Sequence, residues 1–291
     1  MSRWTGMRAL IAALTVSMLA AFGVSVVAVP AGADGLPFPL TSPAGDPPGA
    51  NDWNCSVSKL RPKPVILVHG TFGDRKSILE RLSREIKDTG FCVFSLDYGN
   101  RGTRDIAASA KELKAFTKRV LRATGAQRVS MVGHSQGGMM PRYYIKFLGG
   151  KRVVDDLVGL APSNHGTSGT GRSANPTSDL FFGSNCTACQ QQSAGSPFLT
   201  RLNRGDETPG RVSYTQITTR LDEVVVPHTS GYLEPGPRTR NVTIQDKCRS
   251  DLAEHVLIPM SRTAIAITVN ALTRRGPARA GFQPGCSPPP L

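Results

Sequence analysis

The sequence predicts an α/β fold in which helices cover both faces of a mostly parallel sheet. Two observations carry this expectation. The chain has 291 residues, 39% of them hydrophobic and 19% charged, which is enough to bury one core of catalytic-domain size. From residue 64 onward, short apolar runs alternate with stretches of helical periodicity. Strands buried on both faces by crossover helices produce this pattern.

The apolar runs and the helical stretches follow one another in a regular order. Strands are predicted at 65–68, 92–96, 128–132, 157–160, 212–218 and 242–245. Helices are predicted near 78–87, 105–124, 139–148 and 259–272. In the longest of these, one face carries Ile106, Ala110, Leu113, Phe116 and Val120. Such an apolar stripe is typical of a helix that packs on a sheet.

The first 33 residues have the features of a signal peptide. Arg3 and Arg8 precede an apolar run over 9–29, and Ala31-Gly32-Ala33 supplies small residues for a peptidase. About 20 apolar residues could also span a bilayer as an uncleaved anchor. The Ala-Gly-Ala sequence and the helix-breaking Pro30 favour cleavage after Ala33. The chain is therefore expected to be secreted and extracellular, with no stable membrane span after cleavage.

Composition divides the remaining chain into two parts. Residues 34–53 are rich in proline and predict an extended lead-in that carries no chemistry. Residues 54–291 contain all the predicted strands and helices and form the expected catalytic domain. No internal repeat is visible, and a monomer is expected.

The chain is strongly basic, with 35 Lys and Arg against 21 Asp and Glu, a formal net charge of +14. This charge has two interpretations, solubility or attraction to an anionic lipid interface. No basic face can be assigned, which favours the first. The sequence contains no zinc finger and no basic helix with interleaved aromatic residues, so nucleic acid is not an expected partner.

Six cysteines follow the predicted cleavage site. An even number in an exported chain predicts three disulfides, and the sequence alone allows about 15 pairings. Cys186 and Cys189 have the spacing of half a zinc site or a redox pair. No second Cys/His pair lies at ligand spacing, and the flanking residues are rich in Ser, Gln and Gly. Neither a metal nor another cofactor is expected.

A candidate nucleophile lies in Gly133-His134-Ser135-Gln136-Gly137, between a predicted strand and a predicted helix. A serine on a tight strand-to-helix turn needs glycine two residues to either side, because larger side chains would collide there. A glycine-rich turn with an ordinary serine is the alternative. The strand before, the helix after and the additional Gly138 favour Ser135 as the nucleophile.

Such a serine requires backbone N–H groups that bind the developing oxyanion. One donor is the residue after the nucleophile, Gln136. The second is expected in the loop after an earlier strand, within Val68-His69-Gly70-Thr71-Phe72-Gly73. We assign Thr71, whose hydroxyl group could add a further hydrogen bond. Phe72 is the alternative if the register differs by one residue.

The general base should come late in the chain, after the nucleophile and the acid. Among the five histidines, His69 belongs to the oxyanion loop, His134 is expected to be structural and His165 comes too early. His255 follows the last predicted strand and precedes the last helix, whereas His228 lies in a proline-flanked loop. This order favours His255 as the base.

The acid should lie between the nucleophile and the base, after a strand. Asp222 follows the strand at 212–218 and precedes an apolar segment that could bury its carboxylate. Glu223, Asp246 and Asp251 are the competing acids, and each is explained more simply as a surface or cap residue. The sequence thus predicts a triad of Ser135, Asp222 and His255.

A long segment rich in Gly, Ser, Thr and Asn extends over 163–196. A loop of this length in a compact domain usually has a function. Its strongest apolar cluster is Leu180-Phe181-Phe182, and we expect Phe181 and Phe182 to border an acyl pocket.

With these residues placed, the chain resembles the α/β-hydrolase superfamily, and more narrowly the secreted bacterial triacylglycerol lipases and the lipase B (CalB) type. The likeness covers about 54–286. It rests on the segments 65–71, 134–138 and 221–227 and on the late His255. The chain departs from the lipase B type at His134, where that type has a tryptophan or a similar residue.

The resemblance implies an α/β-hydrolase fold and hydrolysis of lipid esters, triacylglycerols among them, at a lipid–water interface. It also implies the disulfides Cys55–Cys92 and Cys248–Cys286, which leaves Cys186 and Cys189 for a third. Alternatives remain open at this point. They are a short-chain carboxylesterase, a polyester hydrolase, an acyltransferase, a peptidase and a non-catalytic secreted binding protein on the same fold.

Overall fold

The computed structural model describes residues 45–168 and 186–286. The predicted signal peptide, most of the predicted lead-in and the Phe181–Phe182 cluster lie outside these residues. Within the two described ranges, no helix has the length and apolar character needed to cross a membrane.

Six strands form one parallel sheet. They are β1 (Val65–Val68), β2 (Val93–Leu96), β3 (Val129–His134), β4 (Val154–Leu160), β5 (Ser213–Thr218) and β6 (Thr239–Thr243). Their order across the sheet is β2-β1-β3-β4-β5-β6, and every neighbouring pair is parallel. The chain reverses its direction of travel across the sheet at β1 and β3. Ligand sites of open parallel sheets lie beyond the carboxyl ends of strands at such a point.

Helices connect the strands. They are α1 (Glu80–Asp88), α2 (Ile106–Thr124), α3 (Gln136–Phe147), α4 (Thr187–Gln191), α5 (Pro197–Asn203) and α6 (Arg262–Leu272). Short 3-10 turns lie at Ser77–Leu79, Gly150–Arg152, His228–Gly231, Ile244–Asp246 and Ile258–Met260. A further turn, Gly99–Gly102, is interrupted by positive φ values at Asn100 and Arg101.

Alternate strand residues divide the core between the two faces of the sheet, because successive side chains of a strand point to opposite sides. Ile66 and Val68 of β1 pack in one buried cluster with residues of α2 and α3. Val65 and Leu67 pack in a second cluster with residues of α1 and α6. Helices therefore cover both faces of a parallel sheet, which confirms the predicted α/β architecture.

Some element boundaries differ from the predicted ones. β4 begins at Val154 rather than near 157, because Asp155 and Asp156 lie inside the strand. Both carboxylates bind the Lys63 ammonium group, which is 3.0 Å from Asp156 Oδ2. Burial nevertheless raises the pKa of Asp156 to about 6. Two adjacent acidic residues interrupt the apolar run from which this strand is predicted, so the predicted strand begins too late.

The described part of the predicted lead-in packs along the sheet. Asn51 N donates to Val93 O at 2.9 Å, and its side-chain amide exchanges two hydrogen bonds with the backbone of Ser95. The Trp53 ring contacts Phe94 and lies 3.7 Å from the guanidinium carbon of Arg119. Ala50 also forms an isolated parallel bridge with Val93, so this segment contacts the edge of the sheet beside β2.

Three disulfides link the six cysteines, as Cys55–Cys92, Cys186–Cys189 and Cys248–Cys286. The first and the last are the pairs that the resemblance implies, and the second joins the two cysteines that remained. The first joins the segment before β1 to the residue before β2. The last attaches the C-terminal segment to the turn after β6.

Candidate active site

Ser135 lies on a strained turn between β3 and α3. Its φ of 54° is positive, which is uncommon for a residue with a side chain. A Cβ atom at Gly133 would lie 1.8 Å from Gly137 O, and one at Gly137 would lie 2.2 Å from Val68 O. The backbone can therefore make this turn only with glycine at both positions. The turn places Ser135 at the carboxyl end of β3, where 7% of its surface is exposed to solvent.

Asp222 and His255 are brought together from the ends of two neighbouring strands. His255 Nδ1 lies 2.9 Å from Asp222 Oδ1 and 3.0 Å from Oδ2, and both side chains are buried. Asp222 Oδ1 also accepts the backbone N–H groups of Val224 at 3.0 Å and Val225 at 2.7 Å. These bonds hold the carboxylate in one orientation against the imidazole.

His134 connects the turn that carries Ser135 to the loop that carries His255. Its Nε2 donates to the backbone carbonyl of His255 at 2.8 Å, and the two ring centroids are 4.9 Å apart. Burial lowers the pKa of His134 to about 3, so the ring is a neutral, fixed donor. Within the described residues, no hydrogen bond joins Ser135 Oγ directly to the His255 ring. His134 thus supplies the bonded connection between the two segments.

The loop after β1 lies against the Ser135 turn. A Cβ atom at Gly70 would approach Ser135 Cβ to 3.0 Å, so glycine allows this close contact. In the described part of the chain, the backbone N–H groups of Thr71 and Gln136 donate to no acceptor. Phe72 N donates to Arg101 O at 2.7 Å, so this N–H group already has a partner. Of the two candidate donors, the Phe72 N–H group thus has a backbone acceptor and the Thr71 N–H group has none among the described residues, and the assignment of the second oxyanion donor stays a prediction.

Two glutamine side chains contact the Thr71 hydroxyl group. Gln136 Nε2 donates to Thr71 Oγ1 at 2.7 Å, and Gln192 Nε2 donates to it at 2.9 Å. Gln192 Oε1 accepts from Ser163 Oγ at 2.8 Å. No signal in the sequence selects Gln192, because 121 residues separate it from Thr71.

The competing histidines have partners elsewhere. His165 Nε2 donates to Glu207 Oε1 at 2.8 Å, and its Nδ1 donates to Ser230 O at 3.1 Å. The hydrogen bond with Glu207 raises the pKa of His165 above its ordinary value, although burial opposes this. His228 lies in a 3-10 turn with its ring centroid 6.2 Å from that of Tyr232.

The competing acids also have other contacts. Asp246 pairs with Arg220, and Asp251 accepts from Ser261 Oγ at 2.6 Å. Burial raises the pKa of Glu223, and the adjacent carboxylate of Glu254 raises it further. Of the four acids, Asp222 is the one whose side chain is hydrogen-bonded to the His255 ring.

In residues 45–168 and 186–286, no group of three or more His, Cys, Asp or Glu side chains could hold a metal ion. Phe181 and Phe182 lie outside the described residues, so their place beside an acyl pocket stays a prediction.

Residues 62–264 match a family model described as "Lipase (class 2)". Triacylglycerol lipases from Pseudarthrobacter phenanthrenivorans and Burkholderia plantarii are each 36% identical over 92 residues. These alignments cover 28% of this chain and 27% and 24% of the two relatives. The chain therefore spans about a quarter of the length of these relatives.

Solved structures extend the likeness over more of the chain. Aspergillus fumigatus lipase B superposes with a TM-score of 0.67 at 21% identity, covering 80% of this chain and 56% of that chain. The mature Bacillus licheniformis lipase BlEst2 superposes with a TM-score of 0.60 at 15% identity, covering 75% and 94%. With the parallel six-stranded sheet, these likenesses confirm the α/β-hydrolase fold.

Proposed function

The chain belongs to the class 2 lipase family, and from this membership we propose that it hydrolyses carboxylic esters of lipids, triacylglycerols among them. One observation carries the proposal. A buried Asp222–His255 pair lies beside the strained turn that presents Ser135. We assign Ser135 as the nucleophile, His255 as the general base and Asp222 as the acid that orients it.

The reaction proceeds through an acyl-enzyme. Ser135 Oγ attacks the ester carbonyl carbon while His255 Nε2 takes its proton, and the carbonyl electron pair moves onto the oxygen. Collapse of this tetrahedral intermediate breaks the bond to the alcohol, which leaves with the proton from His255. Water then repeats the sequence on the acyl group and restores Ser135. Asp222 stays ionised throughout; it accepts the hydrogen bond from the His255 Nδ1–H group and stabilises the imidazolium.

The oxyanion is bound by N–H groups that have no other partner in the described residues. Thr71 N and Gln136 N supply these donors from two adjoining loops. Gln136 is the first residue of α3, so its N–H group has no acceptor within the helix. The closely packed Gly70 allows the Thr71 loop to approach the reacting carbon.

We also propose that the protein acts outside the cell. Residues 1–33 serve as a signal peptide and 54–291 as the catalytic domain. Three disulfides support export, because such bonds persist in oxidising compartments. N-terminal sequencing of the protein recovered from the medium should begin at Asp34, and a start at Met1 would contradict cleavage.

The test uses the mature protein and its Ser135→Ala variant. Hydrolysis is measured on p-nitrophenyl esters from acetate to palmitate and on emulsified triacylglycerol. A fluorophosphonate probe followed by peptide mass mapping reports whether Ser135 is the modified residue. Asp246→Asn changes an exposed carboxylate that pairs with Arg220 rather than with His255, and it serves as the matched variant that should keep activity.

Each outcome separates the proposal from its alternatives. Turnover of long-chain esters and triacylglycerol that disappears with Ser135→Ala supports the lipase assignment. Turnover limited to short esters would replace it with a short-chain esterase. Equal inactivity of wild type and variant, with no probe on Ser135, would favour a binding protein on this fold.

A further inference from the structure

The hydroxyl oxygen of Thr71 accepts two hydrogen bonds from side-chain amides. Gln136 Nε2 lies 2.7 Å from Thr71 Oγ1, and Gln192 Nε2 lies 2.9 Å from it. Gln136 is fully buried, and Gln192 is 8% exposed. The two amides approach from different parts of the chain, one from the start of α3 and one from the residue after α4.

The orientation of each amide follows from its second partner. Gln136 Nε2 also donates to Gly102 O at 2.7 Å, and Gln192 Nε2 also donates to Ala188 O at 3.1 Å. A carbonyl oxygen accepts and cannot donate, so the nitrogen of each amide must face it. Ser163 Oγ, which donates to Gln192 Oε1 at 2.8 Å, agrees with this assignment.

A hydroxyl group has two lone pairs and one proton. At Thr71 both lone pairs are used by the two amides, so the remaining role of the group is to donate. Its proton has no acceptor in the described residues, and the neighbouring Thr71 N–H group has none either. The hydroxyl proton is therefore available to an atom that enters the site.

We propose that Gln192 is a positioning residue, which fills a lone pair of Thr71 Oγ1 and thereby commits its proton to the oxyanion as a third donor. This inference rests on the proposed function, because it concerns the same oxyanion site. Gln192 does not touch the substrate. Its hydrogen bond prevents the Thr71 hydroxyl group from adopting the orientation in which its proton points toward the protein.

The segment 186–192 is held firmly enough for this role. The Cys186–Cys189 disulfide closes the first turn of α4, and Ala188 N donates to Thr103 O at 3.0 Å. Gln191 fastens the segment to the start of α2, since it accepts from Ile106 N at 2.8 Å and donates to Asp105 Oδ2 at 2.6 Å. The stapled segment therefore fixes the Gln192 amide opposite Thr71.

The main test is Gln192→Glu, which keeps the shape of the side chain but replaces its donor with an acceptor. The carboxylate would draw the Thr71 proton away from the oxyanion. Loss of one oxyanion donor lowers kcat by about 10²-fold or more, so we expect a fall of that order with KM nearly unchanged. Gln190→Glu is the matched control, because it makes the same charge change at an exposed neighbour and should keep wild-type kcat.

The same substitution in a Thr71→Val background distinguishes a positioning role of Gln192 from a merely structural one. In Thr71→Val the hydroxyl group is absent, while each glutamine keeps its carbonyl partner. There, Gln192→Glu should cause no further loss of kcat. Equal losses in both backgrounds would overturn the inference, as would an unchanged kcat in Gln192→Glu alone. Melting temperatures identify variants that fail to fold, and for those the comparison is made with Gln192→Leu, for which we expect a smaller fall in kcat.

Different results refute the proposed function and the positioning role of Gln192. A wild-type protein that hydrolyses no ester refutes the proposed function. A wild-type protein that hydrolyses esters, and whose Gln192→Glu variant does so equally well, refutes the positioning role alone.

Discussion

Both carboxylate oxygens of Asp222 lie within 3.0 Å of His255 Nδ1. The two residues follow neighbouring parallel strands, β5 and β6, whose carboxyl ends meet at one edge of the sheet. Backbone N–H groups of Val224 and Val225 hold the same carboxylate from the other side. In the neutral imidazole, a proton on Nδ1 that donates to this carboxylate leaves Nε2 as an acceptor, which the proposed general base requires.

Asp222→Asn tests this relationship directly. An amide in place of the carboxylate favours the wrong imidazole tautomer and leaves the imidazolium without a counter-charge. We expect kcat on p-nitrophenyl butyrate to fall about 10⁴-fold, by analogy with other Ser-His-Asp triads, with little change in KM. Asp251→Asn, whose carboxylate bonds Ser261 instead, is the control. A larger loss of kcat in the control would reassign the acid.

His134→Phe tests the connection between the two loops. The substitution keeps a ring in the buried site and removes the donor to His255 O, which costs about 1–3 kcal/mol in a buried setting. We expect a lower melting temperature and a reduced kcat at pH 8, measured by thermal unfolding and ester hydrolysis. An unchanged kcat would show that this hydrogen bond does not position His255.

The same variant predicts a pH dependence of stability. The pKa of His134 falls from 6.5 to about 3 on folding, so below pH 6.5 the unfolded chain binds a proton that the folded chain excludes. The contribution of neutral His134 is complete above pH 6.5 and declines as the pH drops toward 3. The gap in melting temperature between wild type and His134→Phe should therefore narrow from pH 8 to pH 4. A widening gap would contradict the assigned shift.

The His165–Glu207 pair predicts the opposite trend. The Glu207 hydrogen bond raises the pKa of His165 above 6.5. Burial alone would raise the pKa of Glu207, but the hydrogen bond and charge of His165 outweigh it and lower that pKa below 4.5. Stabilisation by His165 is complete below pH 6.5 and is lost as the pH rises through its folded pKa. Stabilisation by Glu207 is present above pH 4.5.

We therefore expect His165→Gln to lower the melting temperature most between pH 4.5 and 6.5, and least near pH 9. Glu207→Gln should reproduce this profile, since it removes the same ion pair. Melting curves recorded from pH 4 to 9 check both variants. A uniform loss across this range would mean that the pair contributes through packing rather than charge.

We expect the loss of Cys248–Cys286 to affect stability more and the loss of Cys186–Cys189 to affect activity more. Cys248 and Cys286 lie 38 residues apart, and replacing both with Ser should lower the free energy of unfolding by about 4 kcal/mol. Cys186 and Cys189 lie only 3 residues apart, so the double Ser variant should lose about 2 kcal/mol. Denaturant titration measures both values.

Activity should follow the reverse order. The Cys186–Cys189 staple holds the segment of Gln192, so its removal should reduce kcat more than removal of Cys248–Cys286 does. Both double variants are assayed well below their melting temperatures, so that the same fraction of each is folded. Equal kcat values in the two double variants would contradict a catalytic role of the staple.

Local sequence predicted much of the fold. The run 65–68 coincides with β1, and the predicted helix over 105–124 differs from α2 by one residue. α3 begins at Gln136 rather than near Met139, because Gly137 and Gly138 have low helix propensity and conceal its first turn. α5 was missed entirely, since Pro197–Asn203 is short and its apolar face depends on neighbours far along the chain.

The α/β class can be read from local periodicity in the sequence. Glycine spacing selects Ser135 as the candidate nucleophile, and the order along the chain selects Asp222 and His255 as candidate acid and base. The contacts of His134 with His255 O and of Gln192 with Thr71 Oγ1 arise only in the tertiary structure. Each joins residues 121 positions apart. Hydrogen bonds depend on a few tenths of an ångström between atoms, and this precision arises only when distant segments pack against one sheet edge.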